Sequence, residues 1–96
     1  MILSNEPGYY REGAFGIRIE NLVRIIKAPD LGDNRDQLAF ETLTLCPIDT
    51  RLIDLELLSN HERDWLNAYH ARVDSALAPR VAPETRDWLA RACAPI

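Results

Sequence analysis

Two periodicities divide the chain. Through the first 46 residues apolar and polar positions tend to alternate, whereas from residue 59 the apolar positions recur every third or fourth residue. The first spacing is that of half-buried strands and the second that of amphipathic helices. Met1 to Glu6 reads as extended, and the proline that follows biases Glu6 to β or polyproline geometry. Pro7-Gly8 suits the two central positions of a type II turn, with proline presetting one φ and glycine taking the positive one. Tyr9 through Gly13 then reads as a loop. Gly16 to Ile26 is predicted as a strand with Ile17, Ile19, Val23 and Ile25 on one face and Arg18 and Glu20 on the other. Lys27 to Gln37 is a polar loop, and Leu38 to Cys46 a third strand closed by Pro47.

The helical half has a clear start. Ser59 is placed to cap a helix, with Glu62 completing a capping box. Trp65, Leu66, Tyr69, Val73 and Leu77 form an apolar stripe that ends near Pro79. A second helix is expected over Pro83 to Cys93, with Trp88, Leu89 and Ala92 toward the core. Strands first and helices afterwards make an α+β unit, in which residues 1–50 carry the strands and residues 51–96 the helices.

Composition narrows the function. The 96 residues are 47% hydrophobic and 27% charged, with a net charge of -4, so a nucleic acid or an anionic membrane is not an expected partner. No stretch reaches the roughly 20 apolar residues of a membrane span, and the N-terminus lacks the pattern of a secretion signal. Cys46 and Cys93 lack CxxC spacing and read as reduced thiols of a cytoplasmic protein.

Two carboxylates stand out: Glu6 before Pro7-Gly8, and Glu20 in Ile17-Arg18-Ile19-Glu20. Both look set to point inward, which is costly unless they are paired with a cation or bound to a metal. Residue chemistry alone leaves both readings open, because Arg18 shares a face with Glu20 and can pair with it.

The wording around these residues adds to the picture. "SNEPGYYREGAFGIRIENL", then "FETLTLCPIDTRLID" and "ERDWLNAYH", resembles the C-terminal part of the long-form Xaa-Pro aminopeptidases (aminopeptidase P) over nearly the whole chain. These are metallopeptidases of the pita-bread family M24, together with prolidase, methionine aminopeptidase and creatinase. The resemblance implies the C-terminal part of a pita-bread fold, antiparallel strands followed by two helices. It implies two divalent cations, commonly Mn²⁺, with Glu6 ligating one and Glu20 bridging both, as suits hard cations. Arg18 would orient the ligands, with Tyr10 as its partner. The implied reaction is two-metal hydrolysis that removes the first residue of a peptide with proline second.

In the family two aspartates and a histidine complete the ligand set upstream of the "EPG" motif, and these 96 residues do not contain them. The isolated chain is therefore expected to be inactive, to hold no metal tightly, and to self-associate, as a homodimer or larger, through its unpaired strands. The alternatives are a non-catalytic dimerisation module and part of a related prolidase; "ETLTLCPID" and "WLNAYH" favour aminopeptidase P over the latter.

Other acidic and histidine-bearing segments carry no comparable pattern. "HERDW" has Trp65 where a zinc HExxH motif needs its second histidine, so His61 reads as solvated and His70 as a packing or surface residue. Asp30, Asp33 and Asp36 do not follow the alternation of a calcium loop. Glu41 reads as a paired or edge-exposed strand carboxylate. Trp65, Tyr69 and Trp88 read as core residues.

Overall fold

The computed structural model describes residues 1–29, 32 and 36–96, which divide into two units, Met1–Thr44 and Leu45–Ile96. The first unit holds five strands: β1 (Ile2–Asn5), β2 (Gly8–Arg11), β3 (Phe15–Arg18), β4 (Asn21–Lys27) and β5 (Leu38–Thr42). All pairings are antiparallel. One sheet has the order β1-β4-β5, and β2 and β3 form a separate two-stranded ribbon.

A single register runs through both sheets. Asn5 lies opposite Asn21 in the first, and Gly8 opposite Arg18 in the second. Residues 1–27 are therefore one long hairpin, interrupted where Glu6-Pro7 faces Ile19-Glu20. Proline explains the interruption, because it has no N–H to donate to a ladder. Its carbonyl still accepts from the Ile19 N–H at 3.1 Å, so the two arms stay tied across the break.

This corrects four sequence expectations. The expected strand over Gly16–Ile26 is two strands in two different sheets, parted at Ile19-Glu20. Pro7-Gly8 is not the turn, because Gly8 already belongs to β2. The chain reverses at Glu12-Gly13-Ala14, where Ala14 N–H donates to the Arg11 carbonyl at 3.0 Å. Gly13 takes φ +69° there, a conformation glycine adopts without steric cost. Tyr9 to Arg11, expected in a loop, forms strand. The third strand also ends early, at Thr42. Beyond it Leu43 N–H bonds the Leu22 carbonyl, and the Thr44 hydroxyl accepts from Leu22 N–H at 2.8 Å.

In the second unit the capping box forms as expected. The Ser59 hydroxyl accepts from Glu62 N–H at 3.1 Å, and the Glu62 carboxylate accepts from Ser59 N–H at 2.9 Å. Helix α1 then runs over Asn60–Leu77, a 3-10 turn over Ala78–Arg80 and helix α2 over Pro83–Ala92. Leu66, Tyr69 and Val73 of α1 meet Leu89 of α2 and Cys93 in one buried cluster. Leu77 packs partly buried against it. Trp65 and Trp88 are about half-exposed instead of forming core. Trp65 lies at the edge of the stripe and stacks on the Tyr69 ring, with centroids 5.3 Å apart.

The segment after Thr44 belongs to no sheet, and α1 side chains satisfy part of its backbone. The Tyr69 hydroxyl donates to the Cys46 carbonyl at 2.9 Å and accepts from Cys46 N–H at 3.3 Å. His70, fully buried, accepts from Ile48 N–H through Nε2 at 3.0 Å. At the far end Asn67 bonds both backbone groups of Ile96.

His70 makes this unit sensitive to acid. Burial holds the imidazole pKa below its ordinary 6.5, and Nε2 must be unprotonated to accept from Ile48. A depressed folded-state pKa means that the stabilisation is complete above 6.5. It is lost as pH falls below that value, where the unfolded chain takes up a proton that the folded one resists. The midpoint of helix melting, followed by far-UV circular dichroism, should fall as pH drops through this window, and a His70→Leu variant should flatten the dependence. An unchanged midpoint in the parent chain would contradict the assignment.

Candidate functional site

The common register decides which side chains meet. Directly opposed residues of an antiparallel pair share a face, as do alternate residues of one strand. Ser4, Glu6, Gly8 and Tyr10 therefore line one side of the hairpin, facing Gly16, Arg18, Glu20 and Leu22. Glu6 lies opposite Glu20.

Both carboxylates reach the same guanidinium. Arg18 Nε is 3.3 Å from Glu20 Oε2, and Arg18 Nη1 is 3.8 Å from Glu6 Oε2. The second oxygen of Glu6 accepts from the Ser4 hydroxyl at 2.8 Å. Arg18 is held above its ordinary pKa, first by the charge of Glu20, then by a hydrogen bond with Tyr10, with a smaller contribution from Glu6. The group is solvent-exposed, so these contacts fix geometry more than they add stability.

Two glycines make room for Tyr10. A Cβ on Gly16, its partner across the ribbon, would come within 2.7 Å of the ring's Cδ1, and one on Gly8 within 2.7 Å of the phenolic oxygen. Real Cβ atoms do not approach so closely, so the ring lies where side chains at either position would be. Its hydroxyl end thereby comes to the pair Gly8 and Arg18.

The structure thus brings all four residues singled out from sequence, Glu6, Tyr10, Arg18 and Glu20, to one face. It corrects the expectation of burial. The two glutamate side chains are 49% and 41% accessible, because no described residue covers this hairpin: every residue of β1, β2 and β3 is exposed as well. Ser4, Gly8 and Gly16 are contributors that sequence reading passed over. Ser4 was legible as the i−2 neighbour of Glu6, whereas the glycines become meaningful only once the turn is placed at Gly13.

Two half-exposed carboxylates sharing one cationic neighbour form an oxygen-donor pair of the kind hard divalent cations take. They are two donors only. Among the described residues no group of three or more Asp, Glu, His or Cys side chains is placed to hold a metal.

The remaining candidates stand apart. Glu41 is paired with Arg24 directly across β4 and β5. His61 is exposed in the first turn of α1, and His70 is a packing residue. Asp30 and Asp33 lie outside the described residues, and Asp36 is exposed. Cys46 and Cys93 are free thiols, one exposed and one buried. Burial pushes the Cys93 thiol pKa up, with Asp74 and Cys46 adding to the shift, so this sulfur is a poor nucleophile.

A family model described as the C-terminal region of peptidase M24 matches residues 36–96. The chain belongs to the peptidase M24 family. Among relatives, the "Probable Xaa-Pro aminopeptidase P" of Laccaria bicolor is 45% identical over 100% of this chain and 16% of its own length. Aminopeptidase P2 of Arabidopsis thaliana is 50% identical over 93% of the chain and 13% of its own length. The crystal structure of X-prolyl aminopeptidase from Caenorhabditis elegans, described as a cytosolic enzyme with a di-nuclear active site, superposes with a TM-score of 0.88. It is 41% identical, over 99% of this chain and 16% of that one. The fold is therefore the C-terminal part of the pita-bread aminopeptidase, antiparallel strands followed by two helices, and the chain spans about one sixth of the relatives it matches. The hairpin carrying Glu6 and Glu20 precedes the segment matched by the M24 model but lies within the stretch shared with these relatives.

Proposed function

We propose that this chain furnishes two carboxylate ligands, Glu6 and Glu20, to the dinuclear metal centre of a cytosolic Xaa-Pro aminopeptidase. The observation that carries the reading is the register that sets Glu6 opposite Glu20 with both on Arg18. The similarity to aminopeptidases P over the whole chain supports it. In this reading Ser4 holds one oxygen of Glu6 and leaves the other turned toward Arg18. Arg18 keeps the two carboxylates together against their mutual repulsion, and Tyr10, seated over Gly8 and Gly16, fixes Arg18. Two divalent cations, manganese as the resemblance implies and of the hard kind that oxygen donors accept, would supply Lewis acidity toward the scissile carbonyl and lower the pKa of the attacking water. The substrate is a peptide with proline second, which loses its first residue. Residues 1–50 close the catalytic domain, and residues 51–96 form a helical extension to it.

The decisive experiment is a chimera in which this chain replaces the matching sixth of the Laccaria bicolor relative. It should hydrolyse Xaa-Pro peptides and contain two metal ions per chain. Retention of both metals and activity after joint replacement of Glu6 and Glu20 by glutamine would overturn the proposal. The 96-residue chain by itself should show no hydrolysis and only weak Mn²⁺ binding by calorimetry, because two carboxylates are too few donors.

One observation adds an assembly role. Ile2, Leu22, Leu38 and Phe40 are exposed on a sheet whose outer strands β1 and β5 have no further strand partner among the described residues, and such a surface favours association. Light scattering on the isolated chain at tens of micromolar should report dimers or larger species. A strictly monomeric profile would count against this.

A further inference from the structure

The second unit contains an open groove of about 420 Å³ that the metal-site reading does not use. Its walls are Ile48, Asp49 and Arg51 on one side and Trp88, Arg91 and Ala92 of α2 on the other. The volume falls in the range of small-ligand sites. Three features give it chemical character.

Asp49 is already neutralised. Its two oxygens accept from the Arg51 guanidinium at 2.7–3.1 Å, and one also takes the Arg51 backbone N–H. Arg51 holds the carboxyl pKa down to about 2, so Asp49 stays ionised and available to Arg51 throughout the neutral range. Arg91 differs: its guanidinium has no ion pair or hydrogen bond among the described residues. Its position in the last turn of α2 suits the helix dipole, but that interaction leaves all five donors unoccupied. Beside it Trp88 exposes about half of its surface, forming an apolar wall with Ala92 and Ile48.

We infer that this groove binds an acidic peptide segment, with a carboxylate side chain on Arg91 and an apolar neighbour against Trp88. Tryptophan and arginine are the residues most enriched where a few side chains carry protein–protein affinity, and a guanidinium receives a carboxylate bidentately. Of the two guanidinium groups lining the groove only Arg91 is unpaired among the described residues, which matches one carboxylate, while the net charge of -4 disfavours a polyanion such as nucleic acid. The groove therefore selects an acidic peptide segment over a phosphate-rich ligand. This inference does not depend on the metal-site reading, since no groove residue belongs to the hairpin.

The test uses the isotope-labelled 96-residue chain and two blocked peptides, acetyl-Glu-Leu-Glu-amide and acetyl-Gln-Leu-Gln-amide. The first should shift the amides of Ile48 to Arg51 and the indole N–H of Trp88. The second should bind at least about tenfold more weakly, the ratio for loss of one charge-assisted hydrogen bond. Arg91→Gln should bring the acidic peptide down to the level of the neutral one, and Trp88→Ala should weaken both. Both side chains are outside the buried cluster, so helix content by circular dichroism should be unchanged. Equal binding of the two peptides, unaltered binding to Arg91→Gln, shifts confined to other residues, or no shifts at all would each overturn the inference. Equal shifts with inorganic phosphate would also overturn it, because the groove would then be a general anion site.

Discussion

Glutamine at position 20 of the chimera should lower turnover of an Xaa-Pro peptide by at least about a hundredfold, the upper range for losing a group that merely orients a metal ligand. Glutamine keeps the size and one oxygen of the side chain but removes its charge, so the backbone break and the hairpin register should survive. The loss should appear in kcat and in metal content together, because Glu20 is proposed to touch the cations and not the remote parts of the substrate. Glu6→Gln should act in the same direction. Arg18→Lys should have a smaller effect, since lysine keeps the charge between the carboxylates but lacks the planar fork that reaches both. Undiminished kcat with two metals retained in Glu20→Gln would exclude this residue from the centre.

Leu89→Ala should have the largest effect on folding. Leu89 is almost fully buried and is the α2 residue that meets Leu66, Tyr69 and Val73 of α1. Truncating a buried leucine costs about 2–5 kcal/mol. Small domains sit at the low end of the 5–15 kcal/mol range of folding stabilities. The helical unit should therefore lose most of its margin, seen as a large fall in the urea midpoint at unchanged slope. A cost below about 1 kcal/mol would mean that the cluster relaxes around the gap and that α2 is not anchored there.

The sequence disclosed the helical half more faithfully than the sheet half, for a physical reason. A capping box is a local device, with Ser59 and Glu62 three residues apart, and it appeared as expected. The apolar stripe of α1 was legible because helical periodicity is also local. Trp65 and Trp88 were misjudged because periodicity gives a face but not how much of it a partner covers. Strand pairing depends on where the chain turns, and two glycine-containing segments competed for that role. Pro7-Gly8 has the stronger dipeptide signal, yet the reversal falls at Gly13. Moving the turn changes every cross-strand partner. With it at Pro7-Gly8 the two glutamates have no fixed relation, whereas with it at Gly13 they face one another. Glu6 and Glu20 stood out by their apolar setting and Arg18 by its shared face with Glu20, the resemblance to aminopeptidases added Tyr10 and the metal-ligand roles, and the register shows why residues fourteen positions apart in sequence occupy one face. The cradle of Gly8 and Gly16 under Tyr10 needed coordinates, because nothing in the sequence distinguishes a glycine that makes room from one that merely bends.

Glu6 and Glu20 are proposed to present their oxygens to a shared cation. Paramagnetic broadening tests this directly, since Mn²⁺ bleaches nearby amide signals even when it binds weakly. Titrated into the labelled 96-residue chain, Mn²⁺ should broaden Ser4, Glu6 and Gly8 together with Arg18 to Asn21, before any amide of α1 or α2, and either Glu6→Gln or Glu20→Gln should abolish the effect at both segments. Broadening of one segment without the other, or broadening that survives either substitution, would contradict it.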